Sequence, residues 1–274
     1  MPRLSVLQHP ILYYKNKYYH HKLKHGKAPD GLSVVDIHGV KFPCDLALGK
    51  MTRSMYFGAY DIEIRRIIEK NLRPGDVFVD VGANVGYFSA VGAARVGTSG
   101  QVHCFEPVPW LFRYLEQFRS LNPGYSISVN QAALGDKEDK TIIYQSENTG
   151  GHSLLSGYFL SGQPQTTHEI AVHRLDTYLE QKSIDRVALI KIDTEGYEFP
   201  VLLGLTGFLK KAKGRLPILV IEISHRAFSL THHTIAEFET FMKDFGYTAY
   251  EICGCHKADL YRAQDQNLVF IPEK

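Results

Sequence analysis

The chain has 274 residues, 44% hydrophobic and 22% charged, with a formal net charge of +2. That length allows one large α/β domain or two small ones, and the near-neutral charge does not call for nucleic acid. Four scattered cysteines make no disulfide framework, no run reaches the roughly 18 apolar residues of a membrane span, and five lysines and three histidines at positions 13–27 do not read as a signal peptide, so the expected compartment is the cytoplasm.

Residues 1–30 are a basic arm in which Tyr13, Tyr14, Tyr18 and Tyr19 interleave with Lys15, Lys17, Lys22, Lys24 and Lys27. It reads either as a solvated segment packing some tyrosines on the main body, or as a docking arm for an anionic membrane surface or glycolipid head group. Residues 31–72 are a lead-in. A strand or hairpin is expected at 39–42, then a helix at 61–72 with Ile64, Ile67, Ile68 and Leu72 on one stripe. Pro74-Gly75-Asp76 ends that helix.

From residue 73 onward strands and helices alternate. Strands are expected at 77–81, 101–105, 125–129, 187–192 and 218–223, and helices at 87–96, 110–121 and 199–213. Thr234 and Glu237 form a capping box that opens a helix carrying Phe238, Phe241, Met242 and Phe245. The last strands are expected at 247–253, ending on a lone Cys253-x-Cys255 pair, and at 267–271. This alternation specifies an α/β fold with a mostly parallel sheet and helices on both faces. The final strand follows a short link without a helix, so it is expected to enter antiparallel. Residues 141–177 depart from the pattern: strand-like pieces at 141–144 and 169–172 flank a glycine-rich loop at 146–167, which gives the main domain, 73–274, an insert at 145–170. Loops of this length are usually lids or disordered.

The run Asp80-Val81-Gly82-Ala83-Asn84-Val85-Gly86 turns from a buried strand directly into a helix. Glycine lets backbone approach a ligand closely, and in such folds the ligand sits beyond the carboxyl ends of the strands. Glu106, twenty positions past Gly86, can accept hydrogen bonds from both hydroxyls of a ribose. Dinucleotide sites need a second glycine where Asn84 stands, so pyrophosphate is disfavoured. Asp80 suits a cationic amino-acid portion with an ammonium and a sulfonium. Together these residues point to S-adenosylmethionine.

D-V-G-A-N-V-G-Y-F-S at 80–89, with F-E-P at 105–107, resembles the class I methyltransferase superfamily. K-I-D-T-E-G-Y-E at 191–198, with R-L-D at 174–176, resembles the FkbM family of methyltransferases. The resemblance implies a Rossmann-like seven-stranded sheet, S-adenosylmethionine as cofactor, and O-methylation of a carbohydrate, glycolipid or natural-product hydroxyl. It also implies that Asp80, Gly82 and Asn84 line the methionine side, that Glu106 holds the ribose, and that Asn130, Ala132 and Ala133 lie near the adenine. Gly86 and Pro107 complete the expected cofactor-binding set.

An alcohol attacks a methyl group only as it loses its proton, which asks for a general base or an acidifying metal. Lys191, Asp193 and Glu195 alternate along a strand end, and Glu222 ends the next strand. Carboxylates that converge there repel, so one is expected to be protonated or to share a cation. Asp193 or Glu195 is the expected base or acceptor clamp, with Lys191 tuning the charge. His152, in the insert, is a further candidate for base or acceptor contact. A second version has Asp193 and Glu222 hold magnesium; the metal-free version is preferred because only two ligands are evident. Two other functions compete, a nicotinamide-dependent oxidoreductase and a non-catalytic cofactor-binding module. Asn84 argues against the first and the acidic cluster against the second. The expected partner is a small-molecule or glycan acceptor, with no nucleic acid and no transmembrane segment.

Overall fold

The computed structural model describes residues 17–18, 21, 24–145, 152–155, 166–212, 214–253, 256–262 and 265–273. Most of the basic arm, most of the 146–167 loop and Cys255 lie outside these residues. The chain enters as a hairpin, β1 (Leu32–Ile37) and β2 (Val40–Asp45), whose turn residues His38 and Gly39 both have positive φ. Helices α1 (Lys50–Tyr56) and α2 (Ile62–Asn71) follow, and α2 buries Ile62, Ile64 and Ile68.

Next come β3 (Val77–Val81), α3 (Tyr87–Val96), β4 (Gln101–Phe105), α4 (Pro109–Leu121) and β5 (Ser126–Asn130). A small sheet interrupts, made of β6 (Ala133–Leu134), β7 (Asp139–Gln145), β8 (His152–Ser153) and β9 (Thr166–His173) in the order β6-β9-β7-β8. The chain then runs through α5 (Leu175–Gln181), β10 (Leu189–Ile192), α6 (Glu198–Leu203), α7 (Thr206–Lys211), β11 (Ile218–Ile223), α8 (His225–Leu230), α9 (Ile235–Asp244), β12 (Tyr247–Glu251) and β13 (Gln266–Pro272).

The central sheet has seven strands in the order β12-β13-β11-β10-β3-β4-β5. Strands β11, β10, β3, β4 and β5 pair in parallel, and β13 enters antiparallel to both its neighbours, as the missing crossover requires. Side chains alternate between two cores. Phe78, Val102, Leu189 and Val220 pack under α2, α3, α4 and the β1–β2 hairpin. Val79, Val81, Phe105, Ile190, Ile192 and Ile221 pack under α5, α6, α7 and α9. Asp80 and Lys191 occupy the first of these faces, and the register sets them directly opposite each other on β3 and β10.

The capping box at α9 is present: the Thr234 hydroxyl accepts the Glu237 N–H at 3.2 Å, and the Glu237 carboxylate accepts the Thr234 N–H at 2.8 Å. The expected single helix at 199–213 is two helices. Gly204 breaks it where the chain meets the turn after β6, and a Cβ there would stand 1.9 Å from the Gly135 carbonyl oxygen. The R-L-D run closes the same break. Asp176 Oδ2 accepts the Gly207 N–H at 2.9 Å and pairs with Arg174 at 2.7 Å. The expected strand pieces in the insert are longer than the sequence suggested and pair with each other, Asp139 to Val172 through Gln145 to Thr166. Helices α1, α5 and α8 carry too short an apolar stripe to stand out in the sequence. No helix among the described residues is long and apolar enough to cross a membrane.

Candidate active site

The turn after β3 is shaped by its contacts with protein. Gly82 has φ +71°, and a Cβ there would fall 1.8 Å from the Asp193 carbonyl oxygen. Gly86 has φ +89° and packs against Leu115, 2.8 Å from where its Cβ would be. Asn84 also takes a positive φ, 52°, a conformation that asparagine tolerates better than most residues. Its N–H donates to Glu106 Oε2 at 2.9 Å, and the Val108 N–H donates to Oε1 at 2.9 Å. Each Glu106 oxygen therefore keeps acceptor capacity. Burial pushes this carboxyl up to about 7, against the pull of the Val108 and Asn84 amides.

A cleft of about 860 Å³ opens beyond these strand ends. Gly82, Ala83, Asn84, Glu106, Pro107, Ala132 and Ala133 line one part, and Lys191, Asp193, Thr194 and Glu195 another. The lead-in adds Met55 and Tyr60, and the insert adds Ile143, His152 and Leu154. Lys191, 2% exposed, lies 3.5 Å from Asp80 and 3.3 Å from Asp193. Burial works against its charge, but the two carboxylates outweigh that and hold its pKa well above the ordinary lysine range.

Strand β10 ends at Ile192, so Asp193 to Glu195 lie in a turn and not on the strand. Glu195 sits at φ +53° and Gly196 at +107°. Glu198 holds that turn, its Oε1 accepting the Thr194 and Gly196 N–H groups at 2.8 and 3.0 Å. The turn brings Glu195 beside Asp193 and Glu222, with one oxygen of each within 4.8 Å of the others. Burial first, then the neighbouring acids, push Glu195 up to about 8 and Glu222 up to about 9. Tyr60 and Asp61 face the same cluster. Burial, then Asp61, Asp193, Glu195 and Glu222, raise the Tyr60 hydroxyl. Burial, then Asp193, raises Asp61.

The structure thus gathers Gly82, Asn84, Glu106, Pro107, Ala132, Ala133, His152, Lys191, Asp193 and Glu195 on one cleft. Three expected contacts do not line it. Asp80 is fully buried beneath it, bound by the Ser89 hydroxyl at 2.6 Å, and acts through Lys191. Gly86 is turned into the α4 contact. Asn130 is occupied elsewhere, its amide donating to the Cys104 carbonyl at 3.0 Å and the Tyr178 hydroxyl at 3.3 Å. The sequence reading missed Tyr60 and Asp61 because nothing in the lead-in marks which residues reach the strand ends. Tyr87 and Phe88 also line the cleft, and their place directly after the glycine turn was a usable signal.

The cleft thus lies at the carboxyl edge of a parallel α/β sheet, with Glu106 at one end and a group of carboxylates at the other. The model of the methyltransferase FkbM domain matches residues 80–249, well over half of the chain, and the protein belongs to that family. Membership of a methyltransferase family argues against the nicotinamide alternative. Among curated relatives it is 32% identical over 161 residues to 31-O-demethyl-FK506 methyltransferase FkbM of Streptomyces tacrolimicus, covering 49% of this chain and 61% of that protein. It is 30% identical over 150 residues to Methyltransferase 1 of Beauveria bassiana, covering 48% and 59%. It is 23% identical over 161 residues to the hexuronic acid methyltransferase AglP of Haloferax volcanii, covering 59% and 61%. These matches span about three fifths of each relative's length. The crystal structure of a methyltransferase FkbM from Methylobacillus flagellatus aligns over 95% of this chain and 60% of that one, at 16% identity and a TM-score of 0.45.

The cleft fits S-adenosylmethionine, the cofactor that goes with this family. Glu106 keeps acceptor capacity for a ribose. Asp193 and Glu195 on the cleft, with Asp61, Asp80 and Glu222 acting on them electrostatically, outnumber Lys191, the buried cation there among the described residues, and a ligand with an ammonium and a sulfonium would favour their ionised forms.

Proposed function

We propose that the protein transfers a methyl group from S-adenosylmethionine to a hydroxyl of a carbohydrate, glycolipid or related natural product. The observation that carries this reading is the juxtaposition, on one cleft, of Glu106 with the half-buried carboxylates Asp193 and Glu195, which Glu222 approaches from beside the cleft. Two relatives support the acceptor class through their names, one a hexuronic acid methyltransferase and one a 31-O-demethyl-FK506 methyltransferase.

When bound, the cofactor supplies an electrophilic methyl on a sulfonium whose departure as a thioether is already favourable. The protein's task is then positioning and proton removal. Glu106 would hold the ribose, and Asn84 and Gly82 would form the floor under the amino-acid portion. Glu195 is the proposed base: it lines the cleft, and its raised affinity for a proton makes it a stronger acceptor than an ordinary carboxylate. Asp193, fixed by Lys191, orients the acceptor hydroxyl. Met55, Tyr60 and Phe88 keep water from that end of the cleft.

Magnesium on Asp193, Glu195 and Glu222 is the second reading, and it now has a third oxygen ligand within reach. Lys191 already supplies positive charge to Asp193, so we keep the metal-free version. Transfer of labelled methyl from S-adenosylmethionine into a panel of glycans and glycolipids tests the function. Labelling of a hydroxyl that persists with chelator supports it. Labelling lost with chelator and restored by magnesium selects the metal version, and labelling only of amines or carbons overturns the O-methyl reading.

A further inference from the structure

His152 does not belong with the acids. It lines the cleft from β8, paired to Gln145 of β7. Both of its ring nitrogens are buried and have no hydrogen-bond partner among the described residues. Its ring stands edge-on to Trp110, with centroids 6.0 Å apart and planes at 86°. Trp110 lies in the first turn of α4, just after Glu106, Pro107 and Val108, and its indole N–H is also buried without a partner among the described residues. Buried polar atoms in native proteins are nearly always paired. Two such side chains in contact, one of them on a cofactor cleft, mark a place where a polar ligand completes the pairing.

The surroundings select which part of the ligand. Glu195, Glu222, Asp61 and Tyr60 all feel the Asp193 carboxylate. His152 feels none of these acids: burial, then His168, lowers its pKa to about 4. It is therefore a neutral ring with one donor and one acceptor, and a weak base. Trp110 ties it to the Glu106–Pro107 end.

We propose that His152 is a cofactor-binding residue that hydrogen-bonds the nucleoside half of S-adenosylmethionine, through a purine edge or a ribose hydroxyl. Trp110 is the wall that fixes its ring. This moves His152 from proton transfer, where the sequence placed it, to binding. The inference rests on the cleft being the cofactor site, and the test separates the two.

Trp110 is the single tryptophan of the chain, so its emission reports on this spot. The full-length protein is titrated with S-adenosylhomocysteine, followed by tryptophan fluorescence and calorimetry. The 7-deaza, N6-methyl and 2′-deoxy analogues are titrated alongside. In the wild type, binding shifts the emission, and one analogue binds about tenfold more weakly, as expected for one lost hydrogen bond. His152→Ala binds the parent ligand about tenfold more weakly and no longer distinguishes that analogue. His152→Asn, which keeps a donor and an acceptor, recovers most of the affinity. The analogue whose penalty disappears in His152→Ala tells purine from ribose, because any contact of Glu106 with the ribose is the same in both proteins. Wild-type affinity in His152→Ala, retained discrimination in that variant, or calorimetric binding with no change in emission overturns the inference. Failure of the wild type to bind S-adenosylhomocysteine overturns the cofactor reading as well.

Discussion

Replacing Glu195 by glutamine should make the protein more stable, and increasingly so at higher pH. The carboxyl is held at about 8 against an ordinary 4.5. A gap of about 3.5 pH units, at ~1.4 kcal/mol each, corresponds to about 5 kcal/mol. Burial is the larger cause and the Asp193 and Glu198 carboxylates add to it; the glutamine amide stays buried, so the substitution recovers roughly half of that, about 2–3 kcal/mol. The sign follows from linkage. A group whose folded pKa exceeds its unfolded value supports folding fully below the unfolded value, here 4.5. That support drains away as pH rises toward about 8 and stays lost above it. Glu195→Gln and wild type should therefore unfold at similar urea concentrations near pH 4–5 and diverge toward about pH 9, with the variant ahead. Equal pH slopes for the two proteins would show that the acid is not held out of its ordinary range, and the assignment of Glu195 as a strengthened base would fall with it. A cationic ligand should flatten the wild-type slope, because it favours the ionised carboxylate that burial and the neighbouring acids disfavour.

Gly82→Ala should cost several kcal/mol, since it combines a left-handed backbone with a Cβ 1.8 Å from the Asp193 carbonyl oxygen. An unchanged urea midpoint together with unchanged S-adenosylhomocysteine affinity would contradict the packing described. Lys191→Met should destabilise by about 3–5 kcal/mol by leaving Asp80 and Asp193 without their cation. Adding Asp80→Asn should restore part of that loss in the same unfolding assay. Additive losses in the double variant would show that the two residues are not a pair.

The cofactor end of the fold was legible because its signals are local. A strand buried on both faces, a turn with glycines at positive φ and an acid at the next strand end each follow from a few adjacent residues. The antiparallel β13 was legible from the length of a link. Legibility failed where one segment answers to another that is distant in sequence. The helix break falls at Gly204, where the chain packs so closely on Gly135 that no Cβ fits. Asn130 is taken by Cys104 and Tyr178, and so cannot serve a ligand. Glu195 does reach Asp193, but through a left-handed turn and not through the strand alternation that predicted it. Tyr60 and Asp61 belong to a lead-in whose docking depends on tertiary packing alone.

The insert also carries a contact whose meaning lies in how such enzymes diversify. Ser153, fully buried, donates its hydroxyl to the Glu195 carbonyl at 2.6 Å and accepts the Leu155 N–H at 3.1 Å. The part of the insert that brings His152 and Leu154 to the cleft is thus bolted to the turn that carries the proposed base. A transplanted insert that lacked this hydroxyl would bring a new pocket and at the same time release the aim of the acid. Under the proposed function the insert and the base would be inherited as one part, and swapping inserts between relatives should succeed only when the bolt travels with the loop.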